Sequence, residues 1–274
     1  MSKYITNFSR GCFHHWSTSK AIAEFVSNWL DSEGERDYEF TEDSLTLTNK
    51  NIKVSNKMLM MGLSDKRQDD TKRGQFGVGS VQALVVLTDL GYNVSITNND
   101  VVWDARFEHS NDFDEDILVI DETPHYNSQD FTVTVSGLTE DILNEVKERC
   151  LQFQDREVLH STPMGDIISS NGEDGEVFCG GMYVCQSANF KYNYDFKPKV
   201  LPLNQDRNSV DNWKLQQLTA KMILQTEDES FIKGAIEANN LDTDHIQYSW
   251  VDGTTDSLED SFAEEFIKDN PDAT

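Results

Sequence analysis

Cations are scarce in this chain, and so are proline, cysteine and long apolar runs. Against 49 acidic residues stand only 23 lysines and arginines, a formal net charge of −26 over 274 residues. That balance repels a phosphate backbone, so direct nucleic-acid binding is not expected. No stretch reaches the length that crosses a bilayer, and the N-terminus MSKYITNFSRGCFHHW lacks the apolar centre of a secretory leader, so no membrane association is expected either. The four cysteines, Cys12, Cys150, Cys179 and Cys185, form no CxxC pair, and His14-His15 has no matching cysteine spacing. A zinc site is therefore not indicated, and reduced thiols in a cytoplasmic compartment are the expectation.

What is present is enough apolar matter for a folded protein: 37% of the residues are hydrophobic and 10% aromatic, spread between short turn clusters. The length suits two ordinary domains. Residues 161–175, STPMGDIISSNGEDG, are rich in turn formers and suggest the boundary, giving a first domain over 1–160 and a second over 161–250. From 251 to 274 the chain carries many acids and one lysine, which predicts a mobile acidic tail.

Ser17 and Ser19 are good N-cap residues ahead of KAIAEFVSNWLDS, where Ile22, Phe25, Val26, Trp29 and Leu30 recur at helical spacing. Glu24, Asn28 and Asp31 form a second stripe at i, i+4, i+7, and the bland reading of that stripe is a solvated face. Strands are expected at YEF, SLTLT, NVSIT, VVWDARFE, ILVI and FTVTVSGL. A short helical segment is expected at NKMLMMGL, a helix over SVQALVVLTDLG, and another, capped by Thr139, at TEDILNEVKERCLQF. Strands so closely connected leave no room for repeated crossovers, so the fold class is α/β (α+β), a two-layer sandwich on a mixed or antiparallel sheet. Beyond it, EVFCGGMYVC reads as a hairpin on Gly180-Gly181 that brings Cys179 and Cys185 near each other. NFKYNYDF reads as a strand, and helices follow near 210–225 and 229–239.

The stretch KRGQFGVGSVQAL spaces glycines at Gly74, Gly77 and Gly79 ahead of a helix. It is neither a Walker A loop nor a dinucleotide fingerprint, and taken alone it is only a flexible turn. Its company gives it more meaning. A helix carrying Glu24 and Asn28, a turn after a strand at Asn49, the tract MMGLSDK and the box GQFGVG follow in one order over about the first 140 residues. That order resembles the GHKL superfamily of ATPases, which includes gyrase-type topoisomerases, heat-shock chaperones, histidine kinases and mismatch-repair ATPases. The glycine box is most similar to the microrchidia type.

The resemblance implies a Bergerat-type fold followed by a smaller transducer-like α/β domain, with ATP and Mg²⁺ as ligands. Glu24 matches the base that deprotonates the attacking water, Asn28 the side-chain oxygen that binds Mg²⁺, and Asp31 the acid that holds the structure around the nucleotide. Ser64 and Lys66 match contacts in the loop over the nucleotide. Gly74, Gln75, Phe76, Gly77, Val78 and Gly79 match the phosphate cradle, where backbone N–H groups at a helix start favour anions. Lys72 and Arg73 add positive charge to that loop. In the second half Lys197, Lys199 and Arg207 are candidates to reach the γ-phosphate, with Arg207 preferred.

Two positions depart from the family. Its Asp-x-Gly-x-Gly motif is Asn49-Lys50-Asn51-Ile52-Lys53 here, and its later Gly-Thr pair is Asp130-Phe131. Both weaken adenine recognition in principle while leaving the phosphate end of the motif set intact. The implied function is slow Mg²⁺-dependent ATP hydrolysis that switches conformation or a homodimer. The competing class is a noncatalytic acidic protein, a pseudo-ATPase or nucleic-acid mimic, that occupies a basic protein partner. Phosphotransfer to histidine lacks support, because no histidine sits in a recognisable dimerisation hairpin.

Overall fold

The computed structural model describes residues 2–59, 79–126, 128–170, 172, 174–201, 203 and 210–246. The chain divides into two compact units, Met1–Gln154 and Asp155–Thr274. Among the described residues it forms twelve strands and five α-helices, an α+β architecture. No helix among them is long and apolar enough to cross a membrane.

The first unit is built on one antiparallel sheet. Its strands are β1 (Ser2–Ser9), β2 (Arg36–Phe40), β3 (Ser44–Asn49), β4 (Asn93–Asn98), β5 (Val101–Ser110), β6 (Glu115–Pro124) and β7 (Phe131–Ser136), in the order β1-β6-β5-β4-β7-β3-β2. The alternation of SLTLTN, NVSITN and FTVTVS sends Leu45, Leu47, Val94, Ile96, Val133 and Val135 to one face, where all are buried. The opposite face carries hydroxyls, with Thr46 bonded to Thr134 and Thr48 to Thr132, each at 3.2 Å.

On the apolar face lie α1 (Thr18–Asp31), α2 (Gly79–Asp89) and α3 (Glu140–Glu148). Helix α1 packs on β3 and on both other helices, and α2 packs on β4 and β5. Ser17 caps α1 by accepting from Lys20 N–H, and the expected stripe of Ile22, Phe25, Val26, Trp29 and Leu30 is buried. Thr139 caps α3 by accepting from Ile142 N–H. Strand β1 has no counterpart among the sequence expectations. It is held by β6, with Tyr4 opposite Ile120 and Ser2 opposite Glu122, so its pairing lies more than a hundred residues away in the chain.

The second unit carries a mixed sheet of β8 (Val158–Thr162), β9 (Gly165–Ile168), β10 (Gly175–Cys179), β11 (Met182–Ser187) and β12 (Asn193–Phe196). The order is β11-β10-β12-β9-β8, with β10 and β12 parallel. Helices α4 (Asn212–Leu224) and α5 (Glu229–Ala238) bury Leu215, Met222, Ile223, Ile232 and Ala235 with Val177, Tyr194 and Phe196. Thr162 makes the β8–β9 turn compact, its hydroxyl accepting from Met164 and Gly165 N–H. Gly180 and Gly181 both take positive φ, 59° and 80°, as a two-residue hairpin turn requires. The register then pairs Cys179 with Met182 and Cys185 with Val177. The two cysteines lie on adjacent strands without being direct cross-strand partners, and none of the four forms a disulfide.

One buried carboxylate joins the turn after α5 to this sheet. Asp242 is fully buried and its Oδ2 accepts from Lys191 N–H, Tyr192 N–H and the Tyr194 hydroxyl, the last at 2.8 Å. Its Oδ1 has no hydrogen-bond partner. Burial raises the Asp242 carboxyl above the usual range, partly offset by those three donors. The folded state therefore holds this proton more tightly than the unfolded chain does. The stability this lends is full below the unfolded-state value and is lost as pH rises through the folded-state value. Asp242→Asn, which does not titrate, is expected to gain stability relative to the wild type as pH rises from the ordinary carboxylate range towards neutrality and beyond. Urea denaturation across that range measures it, and a constant difference between the two proteins would contradict the assignment.

Candidate functional site

The side chains of interest in the first unit converge where α1 meets the start of α2. Helix α1 needs its apolar stripe for the sheet, and the turn-to-turn spacing of Glu24 and Asn28 places both on a flank that is only half-buried. That flank faces the first residues of α2. A Cβ built at Gly79 would overlap the Glu24 carboxylate at Oε2 and lie 3.0 Å from its Cδ, so the carboxylate fills the space a side chain at Gly79 would need. One turn along α1, Asn28 donates from Nδ2 to Ser80 Oγ at 2.9 Å. A carboxylate and an amide thus stand beside the first described residues of α2.

Asp31, the last residue of α1, is 5% exposed and belongs to the buried helix end. It does not continue the half-buried flank of Glu24 and Asn28.

Asn49 ends β3 and is 1% exposed. Its Nδ2 donates to the Trp29 carbonyl at 3.1 Å, while Trp29 Nε1 donates to the Thr48 carbonyl at 2.9 Å, so helix and strand are bonded both ways. Asparagine can make this bond where an ionised aspartate cannot. Asn49→Asp, of nearly equal volume, sets a carboxylate against a carbonyl oxygen. It is expected to destabilise the protein by about 2 kcal/mol. Chemical denaturation at neutral pH checks this, and an unchanged midpoint would show that the Trp29 bond contributes nothing.

The chain after Asn49 is held by its own polar contacts. Asn51 takes φ 56°, the left-handed conformation, at the first glycine position of the family motif. Its N–H donates to Asp130 Oδ1 at 2.9 Å. Asn98 exchanges two hydrogen bonds with Val54, and Asn99 Nδ2 donates to the Ile52 carbonyl at 2.7 Å. The pair Asp130-Phe131 therefore serves the structure, since Asp130 holds this loop and the buried Phe131 opens β7 opposite Asn49.

Residues Ser64, Lys66, Lys72, Arg73, Gly74, Gln75, Phe76, Gly77, Val78 and Arg207, and the tail over 251–274, lie outside the described residues. Of the other cations proposed for the second unit, Lys197 Nζ donates to the carbonyls of Thr162 and Pro163, at 3.3 and 2.9 Å. Lys199 takes a positive φ of 69°. Sequence reasoning did not single out Ser80, Asn98 or Asn99. The signal available for Ser80 was its place one residue after the glycine box.

Among the described residues no group of three or more His, Cys, Asp and Glu side chains could hold a metal by itself. The donors present, the Asn28 amide oxygen and a carboxylate at the start of a helix, are oxygen ligands of the kind a hard cation takes when phosphate and water complete its shell.

Comparison with known proteins adds little to this geometry. Residues 141–229 match the family model of the Mycoplasma pneumoniae MPN635 N-terminal domain. No curated protein matches. Among solved structures, the chain is similar to the ATPase region of Saccharomyces cerevisiae topoisomerase II bound to dexrazoxane. Identity is 12% and the TM-score 0.41, over 65% of this chain and 72% of that one. A likeness of that size carries no argument about the site, which stands on its residues.

Proposed function

We propose that the first unit is an ATP-binding module of the GHKL type that hydrolyses ATP slowly with Mg²⁺ and so switches conformation or a homodimer. One observation carries the reading. Glu24 and Asn28, a turn apart on α1, are both turned onto Gly79-Ser80, where the last residue of the glycine box leads into α2.

In this reading Gly74, Gly77 and Gly79 present backbone N–H groups to the phosphates, helped by Ser64 and Lys66, and side chains beyond glycine would obstruct that approach. Asn28 would hold Mg²⁺ through its amide oxygen, and the ion supplies neutralisation of phosphate charge. Glu24 takes the proton of the attacking water, which requires its carboxylate within hydrogen-bond reach of that water. Asp31 secures the end of α1. The second unit is read as a transducer-like domain.

Phosphate release by the purified chain tests the reading. Turnover is expected with ATP and Mg²⁺ and none after chelation of the metal; release that continues unchanged in excess chelator would contradict it.

A second reading, a noncatalytic acidic protein that occupies a basic partner, is favoured by the base end of the motif set. There Asn49 bonds the Trp29 carbonyl, and Asn98, Asn99 and Asp130 bind the following loop. A chain that binds a basic polypeptide with the same affinity in the presence and absence of ATP, and releases no phosphate, would decide for it.

A further inference from the structure

The geometry points to Gly79-Ser80 as the step that aims both polar residues of α1: Ser80 orients the Asn28 amide, and Gly79 keeps open the space the Glu24 carboxylate occupies. The consequences for turnover rest on the nucleotide-binding reading above. The orientation itself rests on two contacts and can be tested without nucleotide.

An asparagine amide presents oxygen at one end and nitrogen at the other, and only the oxygen can ligate a cation. Asn28 is held by its nitrogen, Nδ2 to Ser80 Oγ at 2.9 Å, so its oxygen is directed to the opposite side of the amide. Ser80 is among the first described residues of α2 and Asn28 lies near the end of α1, 52 residues apart in sequence, so the bond also links the two helices. A hydroxyl is small and accepts readily, and threonine offers the same oxygen, whereas alanine offers none.

Gly79 acts through absence. The nearest atoms to a Cβ there would be Glu24 Oε2, then Cδ at 3.0 Å and Cγ at 3.4 Å. These are the far end of a flexible side chain, not backbone. A methyl group at 79 would displace the carboxylate and leave the helices where they are. Gly79 and Ser80 are thus positioning residues, one for the base and one for the metal ligand.

Three variants of the intact chain test this. Ser80→Ala is expected to shift the Asn28 side-chain amide resonances in a nitrogen–proton NMR spectrum without nucleotide, and Ser80→Thr to restore them. With a non-hydrolysable ATP analogue, Ser80→Ala should raise the Mg²⁺ concentration at half-saturation about fivefold, with metal-free affinity unchanged. Gly79→Ala should keep a near-wild-type melting temperature and lower turnover about a hundredfold, the scale of a misplaced catalytic group. Compared at saturating ATP, where any weakening of the cradle at Gly79 drops out, its combination with Glu24→Ala should be no slower than Glu24→Ala alone, since both remove the same group from its place.

Wild-type amide resonances in Ser80→Ala, or a Gly79→Ala loss that multiplies with Glu24→Ala, would overturn the assignment. If the wild type binds no nucleotide, the functional reading fails, and the amide resonances still decide whether Ser80 orients Asn28.

Discussion

Glu24→Ala is expected to lower phosphate release by about a hundredfold to ten-thousandfold, the contribution of a positioned general base, while ATP affinity stays within about threefold of wild type. The separation follows from where Glu24 stands. Its carboxylate lies at the start of α2, on the half-buried flank of α1, and the buried stripe from Ile22 to Leu30 that anchors the helix is untouched by the change. Alanine is the best helix former, so α1 itself should persist. Removing the carboxylate also removes a negative charge from a place where phosphates would sit, so binding has no reason to weaken. Glu24→Gln, which keeps shape and loses the base, should lose turnover to a similar degree. If Glu24→Ala hydrolyses ATP at the wild-type rate, the role assigned to this residue is wrong.

A large effect on stability is expected in the second unit, at Gly175→Ala. Gly175 opens β10, which lies between β11 and β12. A Cβ there would overlap the Tyr192 carbonyl oxygen and come within 2.6 Å of Phe190 Cβ and 3.3 Å of the Tyr192 carbonyl carbon. In contrast to Gly79, the obstacle is mainly backbone, and the backbone belongs to the segment that leads into β12. The segment is pinned nearby, with Lys191 and Tyr192 N–H on Asp242 and Glu176 N–H on Asn193 Oδ1. Relief therefore requires moving one strand against another, at a cost of about 3 kcal/mol or more. Denaturant unfolding with hydrogen exchange at the β10 and β12 amides measures it. A loss under about 1 kcal/mol would show that the sheet yields more easily than the contacts imply.

What the sequence disclosed depends on whether the signal was local. The helix of Ile22 to Leu30, the caps at Ser17 and Thr139 and the turn at Gly180-Gly181 each depend on neighbours within a few residues, and each could be read. The alternation of SLTLTN and FTVTVS likewise showed which side chains face the core. Strand β1 could not be read, because SKYITNFS has weak alternation and its partner is β6, far along the chain. In the β10–β11 hairpin, the turn was legible, but the register shift that places Cys185 opposite Val177 was not. At the site, the spacing of Glu24 and Asn28 marked a shared helix face. Which neighbour that face meets is a tertiary fact, so Ser80 went unnoticed. The same holds for Asn49, whose buried bond to Trp29 gives the asparagine a reason that motif comparison could only register as a departure.

Isothermal titration of the intact chain with ATP in the presence and absence of Mg²⁺ tests the central claim most directly. Saturable binding of ATP, strengthened by Mg²⁺, is the expected result. The absence of any binding at millimolar nucleotide would contradict the account, and Glu24, Asn28 and Ser80 would then be an ordinary helix contact.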